Sequence, residues 1–224
     1  MTFEIVNATV ESVSSLTSTM LQYFLKPAKY VNYLAGQYLQ IIVADNTYSY
    51  SIANAPLDDK RYELHIRYGN NSHILMAMCK GSKIQIKLPF GDCYLARMHA
   101  TKPIIFIAIG SGFVPIKAML EQLLVSCDKR EKKLYWGVRA QSDLYMQETI
   151  LHWQNVDEKF TYYPYISQED SLLARVIDDN RDNLLNYQII MCGPFELIYQ
   201  MRDALLAKGV TQANMYSDAF SFEG

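Results

Sequence analysis

Residues 104–115 read Ile104-Ile105-Phe106-Ile107-Ala108-Ile109-Gly110-Ser111-Gly112-Phe113-Val114-Pro115. Six consecutive apolar residues predict a strand buried on both faces, because a half-solvated strand would alternate with polar positions. Gly110-Ser111-Gly112 reads as a turn, and a helix is expected from about Val114 to Ser126. Pro115 suits that helix's first turn, where its missing N–H leaves no bond unmade. Glycines at such a junction let the backbone approach a phosphate or a flat ring, and the helix N-terminus offers unpaired N–H groups to an anion. A plain tight turn is the competing reading, since the spacing is not GxGxxG.

Strands and helices alternate from there to the C-terminus. Strands are expected at Leu134–Val138, Phe160–Tyr165 and Tyr187–Cys192, and helices at Asp143–Gln154, Ser171–Asp179 and Glu196–Lys208, the last closed by Gly209. This order implies βαβ units and a parallel sheet. In a doubly wound sheet, ligands lie beyond the carboxyl ends of the strands. A second turn, Cys192-Gly193-Pro194-Phe195, would then share an edge with the first. For Cys192 a buried structural thiol is the competing reading, and no adjacent histidine or basic residue marks a nucleophile.

Towards the N-terminus the period changes. Phe3–Val13, Leu16–Leu25, Tyr38–Val43, Tyr48–Ala53, Tyr62–Tyr68 and Lys83–Leu88 are short runs with aromatic or β-branched residues, separated by turn-type pieces. They predict an antiparallel barrel or sandwich. One helix interrupts it, with Ser72 as N-cap, Ile74, Leu75 and Met78 at helical spacing, and Gly81 as its stop. The regimes meet near residues 97–103, giving an expected division into residues 1–99 and 100–224. Tyr48-Ser49-Tyr50-Ser51 would place the two rings on one strand face and the two hydroxyls on the other. This is compatible with stacking on a flat ligand and equally with a half-solvated strand. At the C-terminus, Tyr216, Phe220 and Phe222 suggest a docked end rather than a frayed one, a core plug being the bland alternative.

Composition narrows the classes. The 224 residues allow one large domain or two compact ones. Lysine and arginine number 21 against 23 acidic residues, so no bulk positive charge exists to hold a nucleic acid backbone. No apolar stretch approaches a membrane span, and the first residues lack the pattern of a signal peptide, so a cytoplasmic location with reduced thiols is expected. Cys79, Cys93, Cys127 and Cys192 are scattered without CxxC spacing, which argues against zinc or a local iron–sulfur motif.

The pieces Gly36-Gln37-Tyr38, Tyr50-Ser51-Ile52-Ala53, Glu63-Leu64-His65-Ile66, Leu88-Pro89-Phe90-Gly91, Gly110-Ser111-Gly112, Tyr135-Trp136-Gly137-Val138-Arg139, Asp143-Leu144-Tyr145, Cys192-Gly193-Pro194 and Ser217-Asp218-Ala219-Phe220 occur in this order along nearly the whole chain. Together they resemble the ferredoxin–NADP reductase superfamily, most of all its small bacterial NAD(P)H–flavin reductases. The resemblance implies an N-terminal antiparallel flavin-binding β-barrel followed by a C-terminal doubly wound parallel-sheet nucleotide-binding α/β domain. It implies NADH or NADPH as hydride donor and FAD, FMN or riboflavin as acceptor. By similarity Tyr50 would stack near the isoalloxazine, and Ser51 would hydrogen-bond near flavin N5 as the catalytic residue. Tyr48, His65, Ile66 and Arg67 would line the flavin, with Asp218 and Phe220 approaching from the other side. Gly110, Ser111, Gly112, Phe113 and Pro115 would receive the nicotinamide nucleotide, and Cys192, Gly193, Pro194 and Phe195 would border its ring. Arg139 could meet a 2′-phosphate or be a solvated surface charge.

One departure stands out. The superfamily's flavin strand commonly reads Arg-x-Tyr-Ser, and Tyr48 occupies the arginine position. That removes a charge-assisted phosphate contact, for which Arg67 or the helix start at Ser72 could compensate. Weaker binding favours flavin as a diffusible substrate, its electrons passing to a partner reaction or a ferric acceptor. A flavin-bound electron-transfer subunit serving an oxygenase, and a non-catalytic flavin- or nucleotide-sensing module, are the alternatives.

Overall fold

A computed structural model describes residues 3–44, 46–57, 59–68, 78–166 and 172–222. The predicted helix start at Ser72 lies outside these residues.

Six antiparallel strands form the first half: β1 (Glu4–Ser15), β2 (Met20–Pro27), β3 (Tyr38–Val43), β4 (Asn46–Ser51), β5 (Tyr62–Arg67) and β6 (Lys83–Phe90). Their order is β4-β3-β6-β1-β2-β5. Alternate residues point inward, as the pleat requires. Val10, Leu25, Leu39, Ile41, Leu64 and Ile86 are all fully buried in one apolar cluster. A register shift between Val10 and Ser12 marks a bulge in β1, which helps the sheet curve into a half-barrel. β2 begins four residues later than its apolar run suggests. Thr17 Oγ1 accepts from Thr19 N–H at 3.1 Å, and the Leu16 amide donates to Met20 O at 2.9 Å, so the threonine pair makes the hairpin turn instead.

The second half is a five-stranded parallel sheet of β7 (Ile104–Ile109), β8 (Lys132–Val138), β9 (Phe160–Ile166), β10 (Gln188–Cys192) and β11 (Met215–Tyr216), in the order β11-β10-β7-β8-β9. Among the described residues four helices cover it: α1 (Phe113–Val125), α2 (Gln147–Val156), α3 (Leu172–Asp179) and α4 (Phe195–Ala207). The apolar run of β7 has the expected cause. Ile104, Phe106 and Ala108 pack with α1 and α2, while Ile105 and Ile107 pack with α3 and α4. The sheet is therefore doubly wound, and the fold is the expected barrel followed by an α/β unit. The helix anticipated from Asp143 starts at Gln147, because a 3₁₀ turn at Gln141–Asp143 and a bend carry Tyr145 inward first. Among the described residues no helix is long and apolar enough to cross a membrane.

Candidate functional site

The parallel sheet reverses its winding between β7 and β10, which pair directly. Such a switch point leaves a crevice beyond the strand ends. The turn after β7 and the turn after β10 both open there, in close contact with each other. A Cβ on Gly112 would overlap the carbonyl of Cys192 and lie only 2.7 Å from Gly193 N. Only glycine lets the two backbones approach so closely. Gly110 sits at φ 56°, the left-handed region, with open space where a side chain would be.

A cavity of about 1290 Å³ occupies this crevice and extends to the barrel. Its volume exceeds the usual range for one drug-sized ligand, so two ligands can meet in it. Ser51 and Arg67 line it from the barrel. From the other half come Gly110, Ser111, Gly112 and Pro115, then Arg139, and Cys192 to Phe195. Asp218 lies in the wall as well. These are groups that sequence reasoning placed at a ligand site, and they converge here from six separate segments.

The cavity's chemistry suits an anionic group such as a phosphate. The first turn of α1 has no side-chain cap, and neither has that of α4. Both helix starts thus turn the positive end of a helix dipole towards the crevice, the Phe113 amide of α1 being bonded back to the Gly110 and Ser111 carbonyls. Arg67 and Arg139 add two exposed cations. Asp218 is tied down on its side: its Oδ1 accepts from the amides of Asp92 and Cys93, both at 2.9 Å. Burial pushes the Asp218 carboxyl up from its usual range, and the two amide bonds oppose that shift. The C-terminal segment is thereby clasped to the loop that leaves the barrel.

Other anticipated residues lie outside the cavity wall. Tyr48 and Tyr50 share a face as expected, and that face packs against the barrel core with Ile52. The Tyr50 hydroxyl is buried and finds no hydrogen-bond partner among the described residues. Ile66 belongs to the barrel core. Phe113 stacks on Trp136 at 4.0 Å, beneath the glycine turn. Phe220 packs against the α3–α4 side of the sheet, with the Arg202 guanidinium 5.9 Å from its ring centre.

His65 is buried, and it leads to Glu63, Tyr145, Lys117 and Glu121, to none of which the sequence reading gave a site role. Its Nε2 lies 2.7 Å from Glu63 Oε1 and its Nδ1 lies 3.2 Å from the Tyr145 hydroxyl. Glu63 Oε2 accepts from Lys117 Nζ at 2.8 Å, and Lys117 also donates to Glu121 at 2.6 Å and to the Ala53 carbonyl at 3.1 Å. Burial alone would raise the Glu63 carboxyl; the His65 hydrogen bond and the Lys117 cation overcome it and hold the value at about 2. The available signal was Lys117 itself, a charge amid the apolar run of α1, with Glu121 one turn later.

Comparison with known proteins agrees with this geometry. The profile of the oxidoreductase NAD-binding domain family matches residues 106–203. Reductase component 1 of terephthalate 1,2-dioxygenase from Comamonas sp. is 33% identical over 215 residues, covering 91% of this chain. The chain spans 64% of that component's length. A probable flavin reductase of Aliivibrio fischeri is 26% identical, covering 94% of this chain and 95% of its own. In three dimensions the chain is similar to a ferredoxin NADP+ reductase from Neisseria gonorrhoeae with bound FAD and NADP. The TM-score is 0.79 at 16% identity, covering 93% of this chain and 92% of that one.

Proposed function

We propose that the chain is an NAD(P)H:flavin oxidoreductase of the ferredoxin–NADP reductase superfamily, a reading supported by the matched NAD-binding domain profile and by the reductases to which it is similar. Residues 1–99 hold the flavin and residues 100–224 hold the nicotinamide nucleotide. The observation that carries this reading is the single cavity walled by Ser51 and Arg67 on one side and by both glycine turns on the other. Two ligands bound from opposite walls would meet inside it.

When bound, the nicotinamide supplies a hydride and the flavin accepts it at N5, so the protein needs few reactive groups. Its work is to bind, orient and exclude water. The starts of α1 and α4 receive nucleotide phosphates, with Arg139 beside them. Arg67 lines the flavin side of the cavity. The Ser51 hydroxyl, which lines the cavity, would hydrogen-bond to the flavin and orient it. Ser51→Ala is expected to lower turnover about tenfold, the scale of losing one hydrogen bond of about 1.5 kcal/mol in the transition state, with the nucleotide KM within twofold of wild type. Steady-state kinetics check this, and unchanged turnover would remove Ser51 from the reaction.

The Tyr48 position supports flavin as a diffusible substrate, because a charge-assisted phosphate contact is missing. Purified protein should then be colourless and oxidise NADH or NADPH only when FAD, FMN or riboflavin is added. A yellow protein active without added flavin would instead favour the second reading, an electron-transfer subunit with bound flavin passing electrons to a redox partner. The name of the Comamonas relative favours that alternative.

A further inference from the structure

The strand β5 faces two ways. Tyr62, Leu64 and Ile66 point into the barrel core, so Glu63, His65 and Arg67 lie on the opposite face. Each of these three meets a different group of the α/β half. Glu63 meets Lys117 at 2.8 Å, His65 meets Tyr145 at 3.2 Å, and Arg67 approaches Asp143 at 3.9 Å. The middle contact continues to the glycine turn. The Tyr145 ring stands edge-on to Trp136, with centroids 5.4 Å apart at 90°, and meets Phe113 at 6.2 Å and 75°. Trp136 Nε1–H donates to the Gly110 carbonyl at 2.9 Å. An unbroken series of contacts therefore runs from His65 on the barrel, through Tyr145 and Trp136, to the backbone of Gly110. Two residues beyond His65, Arg67 is in the cavity wall, and so is Gly110 at the other end.

We propose that Tyr145 is a positioning residue for hydride transfer, setting the separation of the flavin-side and nucleotide-side walls through its hydroxyl bond to His65 and its ring contact with Trp136. The inference rests on the oxidoreductase reading above. Two features suit Tyr145 to the task. Its hydroxyl is buried and lies 3.2 Å from His65 Nδ1, within hydrogen-bond distance. Its three ring and hydrogen-bond partners come from three elements, β5, β8 and α1, which leaves the side chain little freedom. Reacting atoms must come within about 3–3.5 Å, and a misplacement of about 1 Å can cost a hundredfold in rate. A hydroxyl that fixes one wall against the other therefore acts on the rate without touching either ligand.

The test is Tyr145→Phe, which keeps the ring packing and deletes only the oxygen. Five readouts are taken on the full chain: thermal midpoint, dissociation constants for NADP+, NAD+ and FMN, anaerobic single-turnover flavin reduction, its primary isotope effect, and the absorbance of the nicotinamide–flavin charge-transfer complex. The expected result is a fivefold to tenfold slower reduction and a weakened charge-transfer band. The primary isotope effect with nucleotide deuterated at C4 should grow, while all three dissociation constants stay within twofold and the midpoint stays within about two degrees of wild type. Wild-type reduction rate and band in the variant would overturn the proposal and leave the oxidoreductase reading standing. So would a rate loss fully accounted for by weaker binding or by unfolding. A wild-type protein that reduces no flavin would overturn both.

Discussion

Replacing Gly112 with alanine is expected to raise the KM for reduced nicotinamide nucleotide by at least about tenfold and to leave flavin binding unchanged. The added methyl group has no place to go. It would overlap the Cys192 carbonyl and press on the Gly193 amide, and these are backbone atoms that cannot swing aside. The φ of Gly112 is −58°, an ordinary value for alanine, so the penalty is one of space and not of backbone strain. Relief requires the β7 and β10 turns to separate, which widens the crevice the nucleotide must fill and tilts the start of α1. Overpacking of this kind costs about 1–3 kcal/mol in stability, and an equal share withheld from binding corresponds to about one to two powers of ten in affinity. Titrating the variant with nucleotide and flavin separately checks the expectation. Gly110→Ala is the instructive contrast: nothing lies within 4 Å of its Cβ position, so its cost comes from the φ of 56° alone.

The second large effect is expected at Lys117. Its ammonium is buried, with two carboxylates and a carbonyl around it. Lys117→Met leaves Glu63 and Glu121 facing each other without the cation, and breaking such a buried pair typically costs about 3–5 kcal/mol. Denaturant unfolding measures the loss. Adding Glu63→Gln to Lys117→Met should recover part of it, because the second substitution removes the charge the first one stranded; losses that simply add would show that the two groups are not coupled. Acid should act in the same sense. The folded-state value of Glu63 lies below its usual 4.5, at about 2. The cluster's contribution is therefore fully present above pH 4.5 and is lost as pH falls from there towards 2.

How much of this was legible in the sequence follows from how local each signal is. Ile104–Ile109 announces a central strand because a segment covered on both faces has no room for a polar residue, whatever covers it. The turns at Gly110–Gly112 and Cys192–Phe195 are likewise readable in place. That both open into one crevice followed from the alternation of strands and helices. The seam between the halves was not legible in the same way. Glu63 and Lys117 are 54 residues apart, and His65 and Tyr145 are 80 apart. No local pattern states that a polar face of β5 will meet a buried lysine of α1. Tyr50 illustrates the converse. Strand alternation correctly paired its face with that of Tyr48 and Ile52, but could not tell whether that face would meet a ligand or the barrel core. The early bend at Leu144–Met146 escaped for the same reason, since Tyr145 turns inward to contacts that are distant in sequence.

The most direct measurement of the central claim is anaerobic rapid mixing of the purified chain and FMN or FAD with excess NADH or NADPH, following the absorbance of oxidised flavin. The account predicts that the flavin band bleaches in a saturable, protein-dependent reaction, with one flavin reduced per nicotinamide oxidised. Tight binding of both ligands with no bleaching by either nucleotide would contradict it and leave only the reading of a non-catalytic binding module.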